Sequence, residues 1–145
     1  MAEEAAYFDT SVVVKRYVEE AACAQARGFM RRFHLLSSVI APVETVSALC
    51  RRRRAGELSV VDFDAIVARL RTDRAHWELV ELGPRIRERA EQLLQRAELR
   101  ALDALHIASA SIVQEDSGMA LPFVTADDRQ RGAAAGAGLR VLWVG

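Results

Sequence analysis

Short apolar runs alternate with segments of helical period from one end of the chain to the other. That alternation confines the fold to an α/β layer arrangement around a mainly parallel sheet. The strand-like runs are residues 5–8, 35–40, 77–82, 121–125 and 138–144. Between the first two, Thr10 or Ser11 is expected to cap a helix through VVVKRYVEE, and a second helix covers residues 22–33. Pro42 suits the first turn of the next helix, which carries VETVSALCRRRR to a stop at Gly56. Ser59 then caps a helix in which Val60, Phe63, Ile66, Val67 and Leu70 recur at helical spacing. Gly83-Pro84 ends the third strand, RIRERAEQLLQRA forms a helix, and Asp127 or Asp128 opens the last one. No linker, internal repeat or long low-complexity stretch interrupts this order, so residues 1–145 are expected to form a single domain.

One helix carries a contradiction. LRALDALHIASA, residues 99–110, spreads Leu99, Leu102, Leu105, Ile107 and Ala108 around most of its circumference, which marks a largely buried helix, yet Asp103 sits in its midst. An ionised carboxylate away from water is costly unless it is paired or binds a metal. Three further acids stand at strand ends or in a helix's first turn. Asp9 closes the first strand, Glu44 opens the helix after the second, and Asp127 comes two residues after the strand ending in Thr125. In parallel sheets the ligand crevice lies outside the carboxyl ends of the strands, at the switch point, so one fold gathers Asp9, Glu44 and Asp127 at one edge. Asp103 joins them if its helix packs there. Four carboxylates in one place repel each other, and a hard cation such as Mg²⁺ or Mn²⁺, which prefers oxygen ligands and keeps several waters, relieves that repulsion. Singly, each acid has another reading: Asp9 and Asp127 as helix caps, Glu44 as a first-turn acid opposing the helix dipole, and Asp103 as the partner of Arg100 or His106.

The rest of the composition narrows the setting. Acids and bases balance at 20 each, so no global field argues for nucleic-acid binding, though a local basic patch remains open. Cys23 and Cys50 make neither a disulfide framework nor a metal-ligand spacing, which fits a reducing cytoplasm. The acidic N-terminus has no signal-peptide core, no apolar run is long enough to span a bilayer, and a cytoplasmic protein without a membrane partner is expected. The run Cys50–Arg54 reads first as a solvated helix end; its other reading is phosphate contact with RNA through Arg52 and Arg53. His106, one turn after Asp103, reads as a hydrogen-bonded structural residue before a general acid.

YFDTSVVVKRYVEE, SSVIAPVETVSALCRR, LRALDALHIASA and PFVTADDRQRGAAAGAGLRVLWV resemble, in order and spacing, the motifs of PIN-domain ribonucleases, and among these the VapC-like toxins of toxin–antitoxin systems. The resemblance covers nearly the whole chain. It implies a three-layer α/β/α domain and a Mg²⁺- or Mn²⁺-dependent endoribonuclease whose catalytic and metal-binding acids are Asp9, Glu44, Asp103 and Asp127. Thr10 or Ser11, and Thr125, match hydroxyls that support the acids. The implied chemistry is in-line attack by a metal-activated water, with Asp9 and Asp103 as the chief ligands and Glu44 and Asp127 completing the cradle. RNA as substrate, a cognate antitoxin as partner and a homodimeric state follow from the same resemblance. Asp127 is preferred over its neighbour Asp128 because it stands two residues after Thr125.

Three alternatives are set against this reading. A DNA or flap-structure nuclease shares the acidic site but generally carries added DNA-binding elements, for which this chain has no room. A Mg²⁺-binding receiver-like signalling module needs an acid pair at the first strand end, where Asp9 stands alone. A phosphatase of the D-x-D type is disfavoured by DTS, which lacks the second Asp.

Overall fold

In the computed structural model, which describes residues 3–145, five parallel strands form one sheet in the order β3-β2-β1-β4-β5. The strands are β1 (Ala5–Phe8), β2 (His34–Ser38), β3 (Glu78–Val80), β4 (Pro122–Thr125) and β5 (Arg140–Trp143). The helices are α1 (Thr10–Val13), α2 (Cys23–Arg32), α3 (Ala41–Arg54), α4 (Val60–Arg74), α5 (Pro84–Leu94), α6 (Ala101–Ser117) and α7 (Asp128–Gly136). The fold is therefore the expected three-layer α/β/α arrangement, with a sheet that is parallel throughout.

The period-two alternation of β1 assigns the layers. Ala6 and Phe8 enter a core shared with α1 to α4 through Val12, Ala26, Leu49, Phe63 and Leu70. Tyr7 enters the opposite core, with Ile107 and Ala110 of α6 and Ala134 of α7. Beyond it, Ile86 and Ala90 of α5 pack on Ala104, Ala108 and Ile112 of α6. The strand order places the switch point between β1 and β4, where a crevice opens past their carboxyl ends.

Three sequence expectations are shortened by the structure. The helix after Asp9 is a single turn followed by a 3₁₀ turn, Val14–Arg16, rather than a helix through Glu20. Val12, Val13 and Val14 are all buried, and β-branched residues packed on every side favour a tight corner over a long helix. The second strand stops at Ser38, because Ser38 Oγ accepts the Ile40 N–H and turns the chain into α3. The third covers only Glu78–Val80, the stretch in register with Leu36, Ser37 and Ser38 at the sheet edge. The Ser59 cap and the Gly56 stop hold, since Ser59 accepts the Asp62 N–H and Gly56 follows α3 with φ +78, whereas α1 is capped by Asp9 and not by Thr10 or Ser11, which lie within its turn. Among the described residues no helix is long and apolar enough to cross a membrane.

Candidate active site

The site is built where β1, β4 and the first turns of three helices meet. Asp9 follows β1, and its backbone N–H donates to Val124 O at 3.1 Å, which ties it to β4. Two hydroxyls then stitch the strand ends together. Thr125 Oγ1 donates to Asp9 Oδ2 at 2.6 Å and accepts the Asp127 N–H at 3.0 Å. Ser11 Oγ donates to Asp9 Oδ1 and accepts the Ala126 N–H at 3.0 Å. Thr10 serves a different acid, donating to Glu44 Oε1 at 2.7 Å. All three hydroxyls singled out in the sequence therefore support acids.

The four acids occupy two depths. Glu44, Asp103 and Asp127 line one cavity of about 920 Å³, together with Thr10 and Ser11. Asp9 is not among the residues lining it and is 0% exposed. Burial pushes its carboxyl above the ordinary value of 3.8, against the opposing pull of the nearby His106 imidazole, the Ser11 and Thr125 hydroxyls and the Val12 N–H. No cationic side chain forms an ion pair with Asp9 among the described residues.

The alternative readings of these acids are met as well. Asp9 and Asp127 cap α1 and α7, accepting the Val12 and Arg129 N–H groups. Glu44 and Asp103 occupy the first turns of α3 and α6. Asp103 Oδ2 is 3.3 Å from Arg100 Nε, and its Oδ1 accepts from Gln130 Nε2 at 2.9 Å. Arg100 also reaches toward Asp127, at 3.6 Å, so one guanidinium straddles two of the acids. Asp128 carries a 90% exposed side chain and stands outside the cavity. The partner of His106 is Glu44, at 2.6 Å, rather than Asp103.

Among the described residues no three His, Cys, Asp or Glu side chains stand close enough together to cage a metal ion. The donor set still fits a hard cation. It consists of carboxylates alone, and Mg²⁺ is held by one or two of these while waters complete its octahedron. The Arg100 guanidinium between Asp103 and Asp127 marks a place where the fold already balances negative charge with a cation.

Of the two arginines read as RNA contacts, Arg52 lines the cavity and Arg53 does not. Arg52 forms ion pairs with Glu20 and Glu57, and Arg53 stacks over Phe63 at 4.1 Å. Both guanidinium groups are thus engaged within the chain, while Arg51 is exposed beside the cavity with only Ser47 Oγ, at 3.1 Å. Leu102, read as part of a buried circumference, is 45% exposed, because its face of α6 opens onto the cavity.

Sequence reasoning missed Tyr7 and Gln130. Tyr7 had a signal, since it shares strand parity with Asp9. Gln130 had only its position three residues after Asp127. Its amide contacts Asp103 through Nε2, and its Oε1 is buried with no hydrogen-bond partner.

The PIN domain family matches residues 6–136. Ribonuclease VapC46 of Mycobacterium tuberculosis is 33% identical over 143 residues, spanning 95% of this chain and 96% of the relative. Among solved structures, a toxin–antitoxin complex from Klebsiella pneumoniae contains a chain with TM-score 0.67 and 17% identity, covering 95% of this chain and 96% of that one. Mycobacterium tuberculosis VapC20, described as a sarcin–ricin loop cleaving toxin, has TM-score 0.66 and 18% identity, covering 89% and 95%. At those identities the two structures speak for the fold, which they share with the sheet and helices described above. A family match over nearly the whole chain and a relative 33% identical along its length agree with the motif order, and the chain belongs to the PIN-domain family.

Proposed function

We propose that residues 1–145 act as one nuclease domain that hydrolyses RNA phosphodiester bonds with Mg²⁺ or Mn²⁺, as the toxin of a toxin–antitoxin pair in the cytoplasm. The observation that carries this reading is a single one: Glu44, Asp103 and Asp127 line a common cavity at the switch point, with Asp9 buried and held by Ser11 and Thr125. The name of the 33% identical relative, a ribonuclease, supports RNA over DNA as substrate.

Bound Mg²⁺ or Mn²⁺ supplies an activated water and charge neutralisation for the phosphate. Asp9 and Asp103 would hold it, and Glu44 and Asp127 would complete the negative cradle. The chain's own work is to hold these carboxylates in place before substrate arrives, which removes the entropic cost of aligning them during reaction. Asp9 is fixed by two hydroxyls and a backbone N–H, and Asp103 by Gln130 and Arg100.

The experiment is cleavage of single-stranded RNA by the whole chain in Mg²⁺ and in EDTA. Cleavage in Mg²⁺ that stops in EDTA is expected; turnover that survives EDTA removes the metal from the reading, and cleavage of DNA alone favours the flap-type alternative.

Arg51 is the exposed cation placed to meet an RNA phosphate. Arg51→Gln is expected to flatten the log–log dependence of RNA affinity on salt by about 0.7, the value of one single-strand phosphate contact. Arg53→Gln, which loses only its stacking on Phe63, should leave that slope unchanged. Equal slopes for wild type and Arg51→Gln would remove Arg51 from the interface.

The cognate antitoxin belongs to the same reading, supported by the likeness to a chain of a toxin–antitoxin complex. Val43 and Leu102, exposed at 71% and 45% on the cavity rim, offer an apolar segment something to cover. A homodimer completes the proposal, with Val60 and Val61 on α4 as exposed apolar residues available to its contact. Sedimentation equilibrium of the isolated chain checks it.

A further inference from the structure

A line of hydrogen bonds runs from the interior of the sheet to the cavity wall. Tyr7 OH stands 2.8 Å from His106 Nδ1, and His106 Nε2 stands 2.6 Å from Glu44 Oε1. Thr10 Oγ1 donates to the same Glu44 oxygen at 2.7 Å and lies 3.1 Å from His106 Nε2. Tyr7 is 0% and His106 1% exposed, so water does not compete for the contact between them.

One placement of hydrogens satisfies all of them. An ionised Glu44 can only accept, so Thr10 Oγ1 and His106 Nε2 both donate to it. In the neutral imidazole Nδ1 is then the acceptor, and the Tyr7 hydroxyl donates to it. Packing fixes the rings that carry these atoms. Tyr7 stacks on Phe123 with centroids 5.5 Å apart, and it meets the imidazole edge-on at 5.8 Å and 73°. With both nitrogens committed, His106 has no free position for a substrate proton.

We propose that Tyr7 and His106 are positioning residues for the reaction: Tyr7 fixes which imidazole nitrogen carries the hydrogen, and that Nε2–H holds the Glu44 carboxylate against the cavity wall. The inference rests on the nuclease reading above, but nothing in that reading requires either residue. His106 is thereby removed from the role of general acid and becomes the support through which the protein interior sets the aim of an acid at the site.

Two kinds of measurement test it on the full chain. Nitrogen-15 spectra of the imidazole should show the hydrogen on Nε2 in wild type, with the Nδ1 resonance displaced in Tyr7→Phe; a hydrogen resident on Nδ1 overturns the proposal. This readout is independent of turnover. In RNA cleavage, His106→Ala is expected to lower kcat about 100-fold with KM for RNA nearly unchanged, the size of loss that accompanies a misaligned reacting group. His106→Gln, which can return an N–H toward Glu44, should recover about tenfold of it. In a Glu44→Gln background, His106→Ala should cost little more, because residues acting through one another are not additive. Losses that multiply, or a Gln variant no better than Ala, overturn the positioning role.

If His106→Ala does not fold, Tyr7→Phe decides alone. It removes one oxygen and should cost about threefold to tenfold in kcat, the worth of one hydrogen bond; unchanged kcat with an unmoved Nδ1 resonance overturns the proposal. A wild-type chain that cleaves no RNA sinks the nuclease reading, and the positioning role falls with it. The nitrogen spectra tell that failure apart from a wrongly assigned relay.

Discussion

Asp9→Asn is expected to abolish RNA cleavage and, at the same time, to make the protein harder to melt. Loss of a ligand to the catalytic ion removes about 4 kcal/mol of transition-state stabilisation, or about a thousandfold in rate. The stability gain has a separate cause. Asp9 is wholly buried and forms no ion pair among the described residues, and burial holds its carboxyl above the ordinary value of 3.8 despite the opposing pull of His106. The folded chain therefore binds more protons than the unfolded one between that value and the raised one, and its stability falls as pH rises through the window. Asparagine removes the penalty and keeps the shape: Oδ1 can still accept from Ser11 and Val12, and the amide can donate to Thr125 Oγ1. Thermal melts in EDTA should place Asp9→Asn above wild type near pH 7.5 by about 3 °C, from roughly 1 kcal/mol. The advantage should narrow as pH is lowered through the raised value and vanish only below 3.8, where Asp9 is protonated in both states. Mg²⁺ should raise the wild-type midpoint by mass action and leave that of the variant unmoved. An asparagine variant that melts below wild type at neutral pH in EDTA contradicts this view of Asp9.

Asp103→Asn is expected to lose activity on a similar scale, above a hundredfold, but without the gain in stability. Asp103 is also buried, at 6% exposure, yet it is answered by Gln130 at 2.9 Å and by Arg100 at 3.3 Å. The asparagine oxygen retains the Gln130 contact. What is lost is the pairing with an arginine whose side chain is 69% exposed, and such pairs contribute between nothing and about 1 kcal/mol. The melting midpoint should therefore stay within about 3 °C of wild type. Cleavage assays and melts on the two variants together separate the acid that strains the fold from the acid that does not. A large rise in midpoint for Asp103→Asn would show that Arg100 and Gln130 fail to offset its burial.

The placement of these two acids was legible to different degrees. Asp9 and Asp127 follow β1 and β4 directly, and parallel strands side by side bring their ends to one edge whatever the side chains do. Asp103 was visible as a charge in an apolar helix, and its burial agrees. That Asp9 is wholly buried while the other three acids line the cavity was not readable, because it depends on how β4 and the turn after β1 pack around the strand end. Residue spacing likewise could not show where long side chains turn. Arg52 swings to Glu20 and Arg53 to Phe63, partners that are distant in sequence. His106 pairs across layers with Glu44 instead of along its own helix with Asp103. The shortened helix after Asp9 shows tertiary packing overriding a local pattern: three consecutive buried valines anchor a corner.

Anomalous diffraction from crystals of the full chain soaked in Mn²⁺ tests most directly whether these acids share an ion. A peak at the cavity floor within coordination distance, about 2.2 Å, of both Asp9 and Asp103 is the expected result. A protein that cleaves RNA in Mn²⁺ while its only ordered ion lies away from those two carboxylates would contradict it.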